Sequence, residues 1–516
     1  MGRSRVVSGA VMLGLMLGSA PASAADPMSW SGFYLGGHVG AMSGWTSFSD
    51  PDGPPIYGGT VMTPGFLAGL QVGYDWQFAP QWLVGLQLAG SVVASQGGND
   101  TCMQSNVTTV GSNCKVKPQE IATLTGRLGF LTEPQGRTLL YGKGGLAWMR
   151  SLISINPNNG LGEVSTTGDE PLHGIPTDRS VSALGWTVGA GIEYALTPAW
   201  SLNFEYDYLR FGGITLPKPN TLDVTTTNEV SIVPGGDPSN ITLSQHMARV
   251  GLNYRWGGAS KASGDVAGAS PPTGWTPGWE VDLGLRYWHS SGRYQSANGG
   301  SNVLVSRLTY AEMTGHSGEI FSRLDSPSNV FVKGMLGGGF ISSGKMNDED
   351  WGLAFPGATF SESFEVTDAA VTGGFTYFTA DLGYNVLRGP DHKVGLFVGY
   401  NRYQFTLNAS GCRQLVNTSS TVCNTNFTNN VPSLRETDTW HSLRVGTSVE
   451  AKVWRGFKVG ADLAYLPYVS VDALDSHLLR DPVDHFAFRG HGQGVQVELI
   501  LSYDLTEAFS VGIGGR

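Results

Sequence analysis

Trp200-Ser201-Leu202-Asn203-Phe204-Glu205-Tyr206-Asp207-Tyr208 alternates without a break. Trp200, Leu202, Phe204, Tyr206 and Tyr208 share one face of an extended chain, and Ser201, Asn203, Glu205 and Asp207 share the other. Val495-Gln496-Val497-Glu498-Leu499-Ile500-Leu501-Ser502-Tyr503-Asp504 repeats the pattern near the far end of the chain, with Ile500 the one exception on the polar side. The apolar face is continuous and tipped with aromatics, and the charges gather on the opposite face. That combination predicts a transmembrane β-barrel, with lipid against the apolar face and a polar lumen inside.

Loop lengths test the reading independently. In the first half the short connections fall at Ala79-Pro80, Glu133-Pro134 and Thr197-Pro198, and the long ones at about 42–63, 95–119, 151–181 and 212–243. In the second half the short turns lie near Ser326-Pro327, Gly389-Pro390, Arg455-Gly456 and Thr506-Glu507. The long loops there lie near 291–301, 343–369, 410–434 and 473–490. Short and long alternate throughout, as periplasmic turns and extracellular loops do in outer-membrane barrels.

Between the halves, residues 257–278 (GGASKASGDVAGASPPTGWTPG) are rich in Gly, Ala, Ser and Pro and carry no period of 2 or 3.6. They read as a flexible periplasmic linker. The expected fold class is therefore all-β, with two tandem antiparallel transmembrane β-barrels at 25–256 and 279–516. Met1 to Ala24 reads as an export signal: Arg3 and Arg5, an apolar run from Val6 to Gly18, then Ala22-Ser23-Ala24 as a cleavage site. The expected address is the outer membrane of a Gram-negative cell.

Composition narrows the function classes. Hydrophobic residues make up 41% and charged residues 14% of the 516, and the mean hydropathy of -0.08 fits neither a helical membrane protein nor a disordered one. The net charge of -10 argues against a nucleic-acid partner, because phosphate binding needs a basic face. Four cysteines fall as two local pairs, Cys102/Cys114 and Cys412/Cys423, both in polar extracellular stretches. In an exported chain these predict two loop disulfides, and neither stretch offers the further ligands that zinc requires.

The first half resembles the small immunogenic, porin-like outer-membrane proteins of rhizobia and brucellae. The likeness rests on WSGFYLGGHVG (Trp30 to Gly40), YGKGGLAW (Tyr141 to Trp148) and HMARVGLNYRW (His246 to Trp256). It implies eight strands, hence a lumen filled by side chains and closed to ions.

The chemistry lies in the second half. In MNDEDW (Met346 to Trp351), Asp348 and Asp350 stand two apart, so an extended backbone puts both carboxylates on one side at roughly 7 Å. In Asp475-Ser476-His477 the same spacing lets a carboxylate orient an imidazole as general base. Together with the stretch from Ala380 to Phe405 and DSHLLR (Asp475 to Arg480), these residues resemble the omptin family of outer-membrane endopeptidases. The resemblance implies a water activated between the Asp348/Asp350 pair and the Asp475–His477 pair, a peptide or protein substrate, no cofactor, and contact with lipopolysaccharide. Arg402 is the candidate for the last contact.

Two features depart from that family. Members that cleave beside basic residues carry an acid two before the Asp of the Asp-His pair, where this chain has Ala473. A ten-stranded omptin barrel also needs a final strand, and the alternating pattern here ends at Ile513-Gly514-Gly515-Arg516 after about nine. The alternative function is a non-enzymatic surface barrel, a structural antigen or adhesin. A single merged porin-type barrel is a third reading.

Overall fold

The computed structural model describes residues 29–49, 59–95, 97–104, 111–132, 136–156, 173–224, 230–235, 237–256, 277–300, 303–351, 364–416, 423, 430–454, 456–479 and 482–516. The export signal, most of the 257–278 linker and the turn at Glu133-Pro134 lie outside these residues.

Eight long strands form the first sheet: β1 (Gly32–Ser49), β2 (Gly65–Ala79), β3 (Trp82–Ala94), β4 (Gly111–Leu131), β5 (Thr138–Asn156), β6 (Thr177–Ala195), β7 (Trp200–Leu216) and β8 (Ser239–Arg255). Each pairs antiparallel with the next, and β8 returns to β1 from Tyr34↔Arg255 to Ser49↔Asn240, which closes the barrel. That closure excludes the merged porin-type barrel, since no edge of the first sheet is left to join a second.

The alternation on β7 has the predicted sense. Ser201, Asn203, Glu205 and Asp207 are buried in the lumen, while Trp200 and Tyr206 are exposed on the outside. The lumen is filled by charge. Arg127 reaches Glu193 at 3.0 Å and forks onto Asp75, and Arg249 reaches Glu205 at 2.6 Å and Asp207 at 2.8 Å. Lys143 meets Glu205 at 2.9 Å. Buried charges persist only when paired, and here each finds opposite charge on a facing strand.

The second sheet runs in chain order through nine strands: β9 (Glu280–Gly300), β10 (Val303–Asp325), β11 (Val330–Trp351), β12 (Phe364–Arg388), β13 (His392–Val416), β14 (Pro432–Trp454), β15 (Phe457–His477), β16 (Asp484–Asp504) and β17 (Ser510–Gly515). Among the described residues β9 and β17 share no ladder. Side chains nonetheless meet across the gap: Arg286 on β9 reaches Glu498 on β16 at 3.0 Å.

Much of what reads as long loop is strand. β9 and β10 meet in a hairpin, β11 runs on to Trp351 and β15 to His477. Polarity marks these stretches as leaving the lipid. It does not mark them as irregular, because continuing the ladder pairs backbone N–H and C=O groups that a loop would leave to water.

Aromatic belts set the height of the membrane. The lower belt includes Trp200–Tyr254 in the first barrel and Phe457–Tyr503 in the second. The upper belt pairs tyrosine with histidine on the outer face: Tyr206 with His246 at 2.6 Å, Tyr287 with His316 at 2.7 Å, and Tyr400 with His441. Strand ends beyond that belt stand clear of lipid. Both predicted disulfides are present there, Cys102–Cys114 and Cys412–Cys423.

Candidate active site

The strand ends above the upper belt of the second barrel carry the sequence-predicted residues. On β11, Asp348 and Asp350 face inward, opposite Leu308 and Ser306 of β10, and period 2 puts them on one side as predicted. On β15, Asp475 is buried, and its Oδ2 lies 3.1 Å from Nε2 of the half-buried His477. That contact orients the imidazole through one nitrogen.

One side chain links the two walls. Tyr310 on β10 is wholly buried, opposite Met346. Burial, then the charges of Glu436, Asp475, Asp348 and Asp438, hold its phenol protonated far above the usual tyrosine range. The Tyr310 and Tyr294 rings lie 5.8 Å apart, Tyr294 bonds Glu436, and Glu436 stands opposite Asp475, so the Asp348 wall and the Asp475–His477 wall face one lumen.

Glu436 and Asp438 escaped the sequence reading. Both sit on β14, buried, with Glu436 opposite Asp475 and Asp438 opposite Ala473. Burial, followed by the adjacent Asp438 carboxyl and the charge of Asp475, pushes Glu436 up to about 9. Burial likewise raises Asp438. The Tyr294 hydroxyl donates to Glu436 Oε1 at 3.1 Å. The signal was present in Glu436-Thr437-Asp438, an i, i+2 acidic pair of the kind singled out at Asp348 and Asp350. It lies just past the 410–434 stretch read as loop, and nothing in its own spacing shows that it faces Asp475.

Ala473 is buried and faces inward as the spacing implied. Asp484 pairs with His477 across the β15–β16 hairpin, and His485 lies 2.9 Å from the Ser476 hydroxyl. Arg402 on β13 bonds Gln404 at 2.7 Å. Below the site the lumen opens into a cavity of about 540 Å³ whose lining includes Met313, Phe375, Tyr377, Tyr403 and Arg444. Among the described residues no group of three or more His, Cys, Asp or Glu could hold a metal ion.

The fold and the belts define an outer-membrane β-barrel protein. Comparison with known proteins divides it as the two sheets do. Residues 10–256 match the family model described as outer membrane protein beta-barrel domain, and residues 334–513, which include Asp348, Asp350, Asp475 and His477, match that of the Omptin family. The first half is similar to the 31 kDa outer-membrane immunogenic protein of Brucella melitensis biotype 1, at 29% identity over 252 residues, covering 46% of this chain and 89% of the relative. It is also similar to the 22 kDa outer membrane protein of Rhizobium leguminosarum bv. viciae, at 29% identity over 182 residues, covering 35% and 64%. Among solved structures, the outer membrane protease OmpT from Escherichia coli aligns at 15% identity and a TM-score of 0.34, covering 46% of this chain and 80% of that one.

Proposed function

We propose that the second barrel is an endopeptidase whose nucleophile is a water held at the extracellular rim. The observation that carries the reading is the Asp475–His477 pair at 3.1 Å, joined towards the Asp348 wall through Glu436, Tyr294 and Tyr310, inside the stretch that matches the Omptin family. A peptide lies in the groove between the walls. The water rests between the Asp348/Asp350 carboxylates and the imidazole of His477. As the water oxygen attacks the scissile carbonyl carbon, its proton passes to His477, which Asp475 orients. Collapse of the tetrahedral intermediate breaks the C–N bond, and the imidazolium returns the proton to the leaving amine.

Selectivity follows from Ala473. A basic substrate side chain needs a carboxylate to offset its desolvation, and Ala473 offers a small apolar surface. Facing Asp475, Glu436 is uncharged at neutral pH because burial raises it. The enzyme accordingly accepts small or apolar residues at the cleaved bond. Lipopolysaccharide belongs to the same reading as the lipid against the outer face.

The test compares the full-length protein with His477→Ala and Asp348→Ala, refolded in detergent and scored for folding by heat-modifiable gel mobility. Peptide cleavage lost in both variants with folding retained supports the reading. Absence of cleavage by the unsubstituted protein favours the non-enzymatic surface barrel.

A further inference from the structure

Glu349 stands between the two candidate catalytic aspartates, and its side chain points the opposite way, out through the barrel wall. Above the membrane such a carboxylate is ordinarily solvated. Asp472 pairs outward with Arg489, and Asp368 with Arg413, and both arginines are largely exposed. Glu349 is instead only 2% exposed and its partner Arg307 fully buried. Arg307 Nε donates to Glu349 Oε2 at 2.6 Å, and Nη2 to Oε1 at 3.0 Å.

What covers the pair comes from the first barrel. The Thr101 hydroxyl donates to Glu349 Oε1 and accepts from Arg307, and Arg307 Nη1 donates to Asn113 Oδ1 at 2.8 Å. Asp100 pairs with Arg293 on β9, and its other oxygen lies 3.6 Å from Arg307. Asp100, Thr101 and Asn113 belong to one small ladder, in which Asp100 opposes Cys114 and Thr101 opposes Asn113, and the buried Cys102–Cys114 disulfide closes it. Two contacts lower down keep the barrels side by side. Phe66 and Tyr465 rings lie 5.6 Å apart, and Tyr194 meets His392 at 3.2 Å.

We propose that the first barrel is the positioning element of the second: its disulfide-closed hairpin clamps Arg307 and Glu349 from outside and so holds Asp348 and Asp350 inside the groove. The physical reason is the period of a strand. Fixing residue 349 outward fixes 348 and 350 inward, whereas a one-residue slip would exchange the faces. The strand needs this clamp because it lies near the end of β11, where no lipid presses on it. Two arginines face two carboxylates, so the contact is charge-balanced, and buried pairs are lost cooperatively when one partner is removed. Thr101, Asn113, Arg307 and Glu349 are positioning residues that need not touch substrate.

The proposal rests on the peptidase reading for its kinetic consequence but not for its structural one. The test uses the full-length protein with Thr101→Val plus Asn113→Ala, both outside the proposed catalytic machinery. Amide exchange, read by mass spectrometry, should quicken about tenfold or more over 345–351 while the rest of the second barrel keeps its protection. On a cleaved peptide, kcat should fall about tenfold with KM little changed, and Thr101→Ser should restore both readings. Unaltered exchange over 345–351 overturns the proposal, whether or not any peptide is cleaved. Altered exchange with no cleavage by the unsubstituted protein upholds the clamp and rejects the peptidase. Should the double variant fail to fold, Asn113→Ala alone carries the same readings.

Discussion

Glu436→Gln isolates the electrostatics of the site. In the folded protein burial, Asp438 and Asp475 push the Glu436 carboxyl up to about 9, against an ordinary value of 4.5. The native state thus binds this proton more tightly than the unfolded chain does. Its contribution to stability is complete below about 4.5 and is lost as pH rises towards 9. The linkage slope in that window is about 1.4 kcal/mol per pH unit for one proton. Between pH 6 and 8 the unsubstituted protein should therefore lose roughly 3 kcal/mol through this group. Glutamine mimics the protonated carboxyl, keeps a carbonyl to accept from Tyr294, and does not titrate. Urea unfolding in detergent micelles, followed by tryptophan fluorescence, should show the variant gaining that amount on the unsubstituted protein from pH 6 to 8. Because Asp438 is also raised, Asp438→Asn should flatten the dependence in the same direction. Parallel pH–stability curves for the unsubstituted protein and Glu436→Gln would refute the burial argument.

Other consequences can be measured on the same preparation. Arg127→Met leaves the buried Asp75 and Glu193 to share Arg255 alone and should cost about 3 kcal/mol in urea unfolding, whereas Arg489→Ala, from a solvated pair, should change stability by under about 1 kcal/mol. Peptide mapping without reductant should recover Cys102–Cys114 and Cys412–Cys423 as local bridges, with cross-pairing between the halves the contrary result. Ala473→Asp should move cleavage towards Arg and Lys in a peptide library, and strict basic selectivity before the substitution would show that another acid serves.

Period-2 patterning let the sequence alone determine the outer-membrane barrel, its sidedness and the inward direction of each candidate side chain. The face of a strand residue depends only on its parity, so Ser201 to Asp207 could be placed in the lumen, and Asp348 and Asp350 on one wall, before any contact was known. Local spacing likewise made the Asp475–His477 pair legible. Ladder length was not legible, because polar strands above the lipid and true loops share a composition. Glu436 and Asp438 on β14 were missed because period 2 turns them inward without showing that they face Asp475 and Ala473. Only the tertiary structure decided which walls face one another. Tyr310 packs on Tyr294, which bonds Glu436 opposite Asp475, a convergence that depends on strand tilt around the barrel. The clamp on Glu349 was equally out of reach of the sequence. Thr101 and Glu349 are 248 residues apart, and no local pattern encodes which outer face of one barrel rests against a hairpin of another.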